Sequence, residues 1–367
     1  MTKAAELAKM GEVLTNSQIG GRRNIIINGA MQVAQRGTSA TGLGASGSYP
    51  TVDRFLLAGG SSAGRLTMTQ DSSAPSGFAN SIKLDCTTAD TSIAAGEYLL
   101  LQTKLEGQDL QQLKKGTSDA EKVTVSFYVK GNASATYVLE LADEDNNRKN
   151  TQKFNVTTDW TRVVLTYDGD TTGTLDDDNA GSLLLTIWLH AGSTYSGGTF
   201  TSNVWSAMSS ANRAVGITSF FDSTDRTFFL TGLQMEIGSQ ATPFEHRSFG
   251  EELELCQRYY FRINPTDSYQ RYCYMSYTTA TAAEGVLNFP TRMRTEPSFE
   301  NTGTSTNYAI YIQGNVRAIS SSLSIGAASG DDRITLTANT SSGDTGVVGQ
   351  FLANNNTSAF IAFSAEL

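Results

Sequence analysis

The sequence predicts a mainly β protein in which two β-sandwiches are joined by a short helix. In Val123–Val129, apolar residues alternate with Thr124, Ser126 and Tyr128, which is the pattern of a strand with one buried face. The 367 residues include 34 Gly and only 6 Pro, a composition typical of many short strands joined by tight turns. From Gly250 the apolar period lengthens to that of a helix, so the first sandwich ends before this point.

These patterns divide the chain into four segments. They are an N-terminal helix over residues 1–21, a jelly-roll β-sandwich over 22–247, a linking helix over 248–263 and a C-terminal β-sandwich over 264–367. A hydrophobic content of 39% is enough for two packed cores in a chain of this length.

The N-terminal segment carries a short apolar stripe. Leu7, Met10 and Leu14 recur at helical spacing, while the charged residues lie largely on other faces. A helix of about 13 residues is marginal in water on its own, so we expect partners to hold it. The stripe fits either a coiled-coil seam between identical chains or a helix docked on another protein, and a frayed terminus is the third interpretation.

The second segment begins with Asn24–Val33, predicted as an apolar opening strand, and a Gly- and Ser-rich loop at Thr38–Ser48 follows. The further predicted strands are Val52–Leu57, Arg65–Thr69, Asn80–Asp85, Glu97–Leu105, Val123–Val129, Tyr137–Ala142, Trp160–Tyr167, Leu183–His190 and Thr227–Ile237. Gly232 inside the last strand predicts a bulge or bend. The long central strands, followed much later by the strand Thr227–Ile237, favour two packed sheets in a jelly roll.

The last segment contains shorter candidate strands. They are Tyr269–Tyr277, Gly285–Phe289, Asn307–Gly314, Arg333–Thr337, Gly346–Phe351 and Ser358–Ala365. At about a hundred residues, this unit is small for a sandwich that stands as a single chain. Packing around a threefold axis would cover strand edges that invite aggregation, so the sequence predicts a homotrimer.

Charge and cysteine content limit the partners and the compartment. The net charge of −9 argues against nucleic acid and anionic lipid as partners, because both need clustered Lys and Arg. No stretch approaches the roughly 20 apolar residues of a membrane helix, and the first residues lack the apolar run of an export signal. Cys86, Cys256 and Cys273 are an odd number without metal-like spacing, which predicts free thiols in a protein assembled in a reducing compartment.

Catalytic patterns are poorly represented. His190 at a strand end and His246 in the connector are the two histidines, and neither stands in a pattern typical of nucleophilic catalysis. Glycan cleavage would need two carboxylates about 5–10 Å apart in a groove, and the acidic residues lie mostly in predicted turns. The sequence therefore predicts no catalytic residue, no cofactor and no enzyme.

Two acidic turns match part of the pattern of a calcium-binding loop. Asp143–Asn147 places side-chain oxygens at the first, third and fifth positions of a calcium loop, but Arg148 stands where that loop needs Gly. Asp176–Gly181 is similar and fails at Ala180. Hydrated turns are the preferred interpretation, with a structural Ca²⁺ near Asp143 or Asp176 left open, and no metal site is predicted.

Several motifs, taken in order, point to a known family. They are Asn24–Thr38, Val52–Phe55, Leu230–Glu236, Ala241–Glu245, Gly250–Leu253, Cys256–Tyr260 and Phe360–Leu367. The first two resemble the opening of the jelly-roll domain in phage tail-fibre proteins, the next four resemble its end, and the last resembles a common fibre ending. The resemblance implies a virion protein of the phage tail, assembled in the host cytoplasm, with a non-enzymatic structural or adhesive role.

Glycan binding needs an exposed aromatic ring flanked by hydrogen-bonding side chains. The segment from His190 to Trp205 has this mixture, so Tyr195 and Trp205 are the first candidates, with Asn203 and Asp222 as polar neighbours. The alternative is that both rings only pack. A second aromatic set in the last segment, predicted mostly at a subunit interface, comprises Tyr269, Tyr272, Tyr274, Tyr277, Tyr308 and Tyr311.

The resulting hypothesis is a homotrimeric tail fibre that attaches to other phage tail or virion proteins through its N-terminus. It would adhere to host surface receptors, most simply glycans, without cleaving them, and the resemblance places receptor contact in the distal C-terminal domain. The alternative is a structural connector or head-decoration protein whose jelly roll binds only other virion subunits.

Overall fold

The computed structural model describes Lys3 and residues 23–367, except for the side chain of Ser322. The predicted anchor residues Leu7, Met10 and Leu14 lie outside the described residues. Regular structure is mainly β, as the sequence predicted, and contacts divide the chain into two compact units. The first unit ends at Glu252 and also includes Leu367, and the second runs from Leu253 to Glu366. Within the described ranges, no helix has the length and apolar character needed to cross a membrane.

The first unit is a β-sandwich of two six-stranded antiparallel sheets. In spatial order, the first sheet contains β1 (Ser39–Leu43), β3 (Arg65–Asp71), β4 (Ser81–Thr88), β12 (Thr227–Ile237), β6 (Val123–Gly131) and β9 (Thr161–Tyr167). The second sheet contains β11 (Ser206–Ala207), β8 (Arg148–Val156), β7 (Ala135–Asp143), β10 (Gly181–Ala191), β5 (Tyr98–Glu106) and β2 (Leu56–Gly60).

The main core of this unit draws on both sheets. Val125, Phe127 and Val129 of β6 have no exposed surface and belong to one apolar cluster with Leu139 of β7 and Ile187 of β10. Burying each such side chain stabilises the fold by about 1.5–3 kcal/mol. Alternation along β6 therefore places its apolar residues in the core, as predicted. The predicted bend in β12 is also present, because its pairing with β6 shifts between Thr231 and Gln234.

The prediction of an opening strand over Asn24–Val33 is wrong, because this segment forms turns. Asn28 adopts a left-handed backbone conformation with φ of 61°. Its side-chain oxygen accepts hydrogen bonds from the backbone N–H groups of Gln32 and Val33, and its amide donates to the carbonyls of Val33 and Asp53. These side-chain bonds replace the ladder that a strand would need.

Helices are few and short. The first is α1 (Ser193–Ser196), and the second is α2 (Phe249–Gln257) at the junction of the two units. The predicted linking helix extended to residue 263, but α2 ends at Gln257 because Tyr260–Ile263 pairs as a strand. Single 3-10 turns occur at Gly107–Asp109, Gln111–Leu113, Ser210–Asn212, Phe220–Asp222 and Ser305–Asn307.

The second unit contains a barrel in place of the predicted C-terminal sandwich. A three-stranded sheet contains β13 (Tyr260–Ile263), β21 (Ile361–Ser364) and β16 (Ser298–Asn301). The barrel runs through β14 (Arg271–Tyr277), β15 (Ala282–Asn288), β19 (Arg333–Thr340), β18 (Asn315–Ile325), β17 (Tyr308–Ile312) and β20 (Val348–Ala353). Pairing of β14 with both β15 and β20 closes the cylinder. Closure satisfies the strand edges within one chain, so the barrel does not need a neighbouring copy for that purpose.

Candidate functional site

Two of the four predicted glycan-binding residues meet at one edge of the first unit. The side-chain oxygen of Asn203 accepts a 3.1 Å hydrogen bond from the backbone N–H of Asp168, and the indole N–H of Trp205 donates to the Asp168 carbonyl at 2.7 Å. Both side chains are half-buried, and Trp205 packs against the main core. The polar groups expected to contact a sugar are therefore already engaged within the chain.

A buried ammonium group lies beside this edge. Lys115 Nζ lies 5.3 Å from the centre of the Trp205 ring, 2.5 Å from Oδ2 of Asp143 and 3.1 Å from Oδ2 of Asp170. Arg148 donates two further hydrogen bonds to Asp170. Burial alone would raise the pKa of Asp170, but the hydrogen bonds from Arg148 and Lys115 lower it below its ordinary value. Lys115 thus supplies the positive charge that Ca²⁺ would have supplied to Asp143.

The other two predicted residues have different partners. Tyr195 lies in α1 and packs against Tyr98 and Trp188, with ring centres 5.5 Å and 5.3 Å away. Asp222 is exposed and forms an ion pair with Arg226 four residues later. The structure brings Asn203 and Trp205 together at Asp168, while Tyr195 contributes to packing and Asp222 to an ion pair.

The outer face of the second sheet is closed to ligands. Thr151, Glu140, Thr186 and Gln102 lie in register across β8, β7, β10 and β5 and form a polar row. All four are buried, and the guanidinium of Arg213 donates to both carboxylate oxygens of Glu140 at 2.5–3.1 Å. The side chains of this row are buried and form hydrogen bonds within the chain, so they offer no surface on which a sugar could stack.

The second aromatic set, by contrast, divides into buried and exposed rings. Tyr277 and Tyr308 are buried, and the hydroxyl of Tyr272 donates to a backbone carbonyl. Tyr274 and Tyr311 remain 66% and 38% exposed on the outer face of the barrel. The sequence predicts most of this set at a subunit interface. Alternation separates Tyr274 from Tyr277 along β14 and Tyr308 from Tyr311 along β17, while the register shift between Arg271 and Cys273 lies between Tyr272 and the rest of β14.

Tyr274 and Tyr311 belong to one row across three strands. Gln350 of β20 pairs with Tyr274 of β14 on one side and with Tyr311 of β17 on the other. Adjacent strands lie about 4.8 Å apart, so the two tyrosines stand about 10 Å apart with the amide between them. Arg271 Nε donates to Oε1 of Gln350 at 2.5 Å, which orients that amide. We call Tyr274, Gln350 and Tyr311 the barrel ladder.

Apolar residues surround the barrel ladder. Val316 pairs with Tyr311 across β17 and β18, and Val348 lies two residues before Gln350 on β20. Both valines are exposed, as is Val286 on β15. Contiguous exposed apolar surface marks contact sites in soluble proteins. The outer face of the barrel therefore combines aromatic rings, one amide and aliphatic side chains.

A third cluster was not anticipated from the sequence. Ligand atoms of Asp90, Glu97 and His190 all lie within 4.8 Å of one another, and the three residues are buried. Burial lowers the pKa of His190, although its contact with Glu97 opposes this shift. The sequence predicts His190 at a strand end but contains no local signal for its partners, because 93 residues separate it from Glu97.

Ser219 extends this cluster toward the arrangement of a catalytic triad. Its hydroxyl lies 2.7 Å from Nδ1 of His190, whose Nε2 lies 3.3 Å from Oε2 of Glu97. The same hydroxyl accepts the backbone N–H of Phe221 as a helix cap, and the imidazole has no exposed surface. A triad needs a nucleophile and base that substrate can reach. The geometry therefore favours a buried structural centre.

Comparisons with known proteins give no family. No protein-family model matches the sequence, and no curated protein is significantly similar to it. Structures with partly similar chain traces include CBM4, at 13% identity over 57% of this chain and 98% of that chain, with a TM-score of 0.31. TmCBM61 in complex with β-1,4-galactotriose is 10% identical over 59% of this chain and 100% of that chain, with a TM-score of 0.31. The enzymatically active domain of bacteriophage CBA120 tailspike protein 4 is 10% identical over 58% of this chain and 21% of that chain, with a TM-score of 0.30. Scores of this size do not assign the chain to any of these groups.

Proposed function

We propose that this chain is a non-enzymatic phage tail-fibre protein that binds host surface glycans. The virion location is supported by the resemblance of its opening and connector motifs to tail-fibre proteins. The binding role is supported by the barrel ladder, in which Tyr274 and Tyr311 flank Gln350 on an exposed face. The barrel ladder thus places two accessible rings on either side of one amide group.

The proposed mechanism is stacking combined with amide hydrogen bonding. Each tyrosine ring offers an apolar face to the C–H surface of a sugar, and its hydroxyl remains in water. The amide of Gln350 donates to a sugar hydroxyl from its NH₂ group, while Arg271 holds the amide oxygen. Such a site is weak by itself. Three copies in a homotrimer would gain affinity because the second and third contacts become intramolecular.

Adhesion without cleavage follows from the shape of this surface. The barrel ladder lies on the outside of a closed cylinder, where bound sugar stays in contact with water. Glycoside hydrolysis instead uses two carboxylates that flank the bond in a groove, with the bulk solvent excluded. The proposed site therefore binds the glycan reversibly and does not cleave it.

Binding to isolated host surface polysaccharide tests this function. We expect the double variant Tyr274→Ala, Tyr311→Ala to bind about 5- to 150-fold more weakly, since each lost aromatic contact is worth about 0.5–1.5 kcal/mol. Tyr269→Ala is the matched control, because Tyr269 is 45% exposed but precedes the barrel strands. Equal binding by both variants, with circular dichroism unchanged, would refute the barrel ladder as the glycan site. New reducing ends in the polysaccharide would refute adhesion without cleavage.

A second candidate function is a connector or head-decoration protein that binds only other virion subunits. The exposed Val286, Val316 and Val348 favour this alternative, because a protein partner would bury them. The variant Val316→Asp, Val348→Asp distinguishes the two functions. Failure to enter particles with unchanged polysaccharide binding would support the connector, whereas normal particles with weaker binding would support the adhesin.

A further inference from the structure

Three potential metal ligands from distant parts of the chain converge in the first unit. Asp90 follows β4, Glu97 precedes β5, and His190 lies near the end of β10. They are 6%, 5% and 0% exposed, and their ligand atoms lie within 4.8 Å of one another. The pairing of β10 with β5 shifts between Trp188 and His190. Such bulges re-aim a side chain, and this one precedes the imidazole of the cluster.

The contact between the imidazole and the nearer carboxylate has the length of a ligand–ligand edge. His190 Nε2 and Glu97 Oε2 are 3.3 Å apart, which is long for a hydrogen bond between nitrogen and oxygen. Zn²⁺ binds such atoms at about 2.0–2.2 Å in a tetrahedron, so two of its ligands stand about 3.3–3.4 Å apart. The two atoms therefore already have the separation required of neighbouring ligands on one ion.

A surrounding shell of hydrogen bonds orients the ligands. Ser219 Oγ lies 2.7 Å from Nδ1 of His190, which leaves Nε2 directed toward Glu97. Asp90 Oδ2 accepts hydrogen bonds from the hydroxyl of Ser62 at 2.9 Å and from the backbone N–H of Ala63 at 2.8 Å. Partners of this kind fix the tautomer and the position of metal-binding side chains.

The charges of the cluster are unbalanced without a cation. With a neutral imidazole, Asp90 and Glu97 bury two negative charges, and among residues 23–367 neither carboxylate forms an ion pair with Lys or Arg. Four other buried carboxylates of this unit pair with a cationic side chain, namely Glu140, Asp143, Asp170 and Glu252, while buried Glu236 is held by hydrogen bonds from Gln234 and Thr242. Hydrogen bonds from Ser62, Ala63 and Ser92 offset part of the cost at Asp90. A proton or a metal ion at the cluster would offset the remaining cost of burying two negative charges side by side.

We propose that Asp90, Glu97 and His190 bind one divalent transition-metal ion, with Zn²⁺ as the preferred occupant. Two carboxylates and one imidazole form a mixed donor set that suits Zn²⁺ better than Ca²⁺, which takes oxygen ligands. The ion would join the β4–β5 connection to β10 and stabilise the first unit through binding to the folded state. This inference is independent of the proposed glycan function, which resides in the second unit.

Zinc titration of the untagged, metal-stripped full chain tests the proposal. We expect one Zn²⁺ per chain by calorimetry and a higher unfolding temperature in its presence. His190→Gln should weaken binding by at least about tenfold, as should Glu97→Gln, since each removes one ligand. His246→Gln is the matched control, because it changes the other histidine, whose side chain is exposed. Zinc binding that survives His190→Gln would overturn the assignment.

Nitrogen-15 NMR of the imidazoles in the wild-type chain tests the same site, even if His190→Gln and Glu97→Gln fail to fold. The wild-type chain contains two histidines, so the two ring signals can be assigned with His246→Gln alone. Zn²⁺ should shift Nε2 of His190 while Nδ1 keeps its hydrogen bond to Ser219. An unchanged His190 signal at millimolar Zn²⁺ would show that Nε2 simply donates its proton to Glu97, and the metal site would be rejected.

Discussion

The backbone N–H of Asn28 donates a 2.6 Å hydrogen bond to Oε1 of Glu252, which lies 224 residues later in the chain. Arg247 donates to the same carboxylate oxygen at 3.1 Å and to the carbonyl of Ile26 at 3.1 Å. The side chains of Arg247 and Glu252 are almost fully buried. The turn that opens the first unit is thus fixed to the connector that ends it by a shared carboxylate.

Glu252→Ala should therefore destabilise the first unit strongly. Removing one partner of a buried ion pair leaves the other charge uncompensated, which costs about 3–5 kcal/mol. Glu254→Ala is the control, because Glu254 lies on the same helix and is exposed. Urea unfolding followed by tryptophan fluorescence measures both variants, since Trp160, Trp188 and Trp205 all lie in the first unit. A similar loss in both would contradict the role given to Glu252.

The cluster around Lys115 should make the first unit sensitive to acid. The folded-state pKa of Asp170 is lowered, so its contribution to stability is full above the unfolded-state pKa and is lost as the pH falls through the folded value. We expect Asp170→Asn to be less stable than wild type at pH 7 and to lose less further stability between pH 5 and pH 2. Asp159→Asn, which changes an exposed carboxylate, should follow the wild-type curve in the same urea titrations.

Local pattern was sufficient to predict which side chains of β6 enter the main core, but not that Thr124 and Ser126 on its other face are buried as well. Val125, Phe127 and Val129 alternate with polar residues, and that alternation depends only on the geometry of a strand. The same rule separates Tyr274 from Met275 and Tyr277 along β14. It fails at Asn28, where side-chain hydrogen bonds to the backbone direct an apolar stretch into turns.

Features that depend on distant partners were not predictable from local pattern. Barrel closure requires Cys273 of β14 to pair with Phe351 of β20, and alternation does not specify which strand an edge will meet. The cluster of Asp90, Glu97 and His190 likewise forms only after two strands have paired. Trp205 illustrates the same limit, because the sequence did not show that its indole would reach Asp168.

The cysteines should be unreactive in the folded protein. None of the three forms a disulfide, as predicted, and burial raises the pKa of Cys86 to about 11 and that of Cys273 to about 12. The thiolate is the reactive form, so alkylation at pH 8 should be slower by about two orders of magnitude or more than for a free thiol. Iodoacetamide labelling followed by mass spectrometry should give no modification in buffer and three in denaturant. Rapid labelling of Cys86 in buffer would contradict its buried position and its raised pKa.

The proposed homotrimer predicts that the full chain sediments with the mass of three chains at micromolar concentration. Closure removes the edges of the barrel itself as a reason for assembly. Two candidate contacts are the predicted seam of Leu7, Met10 and Leu14, and the exposed valines around the barrel ladder. The variant Leu7→Asp, Leu14→Asp should dissociate the trimer if the seam holds it, because charge in a coiled-coil core is strongly destabilising. Val316→Asp, Val348→Asp should do so if the barrel holds it. A single-chain mass for the wild type would reject the trimer, and glycan binding would then have to reach its full strength at one barrel ladder without multivalency.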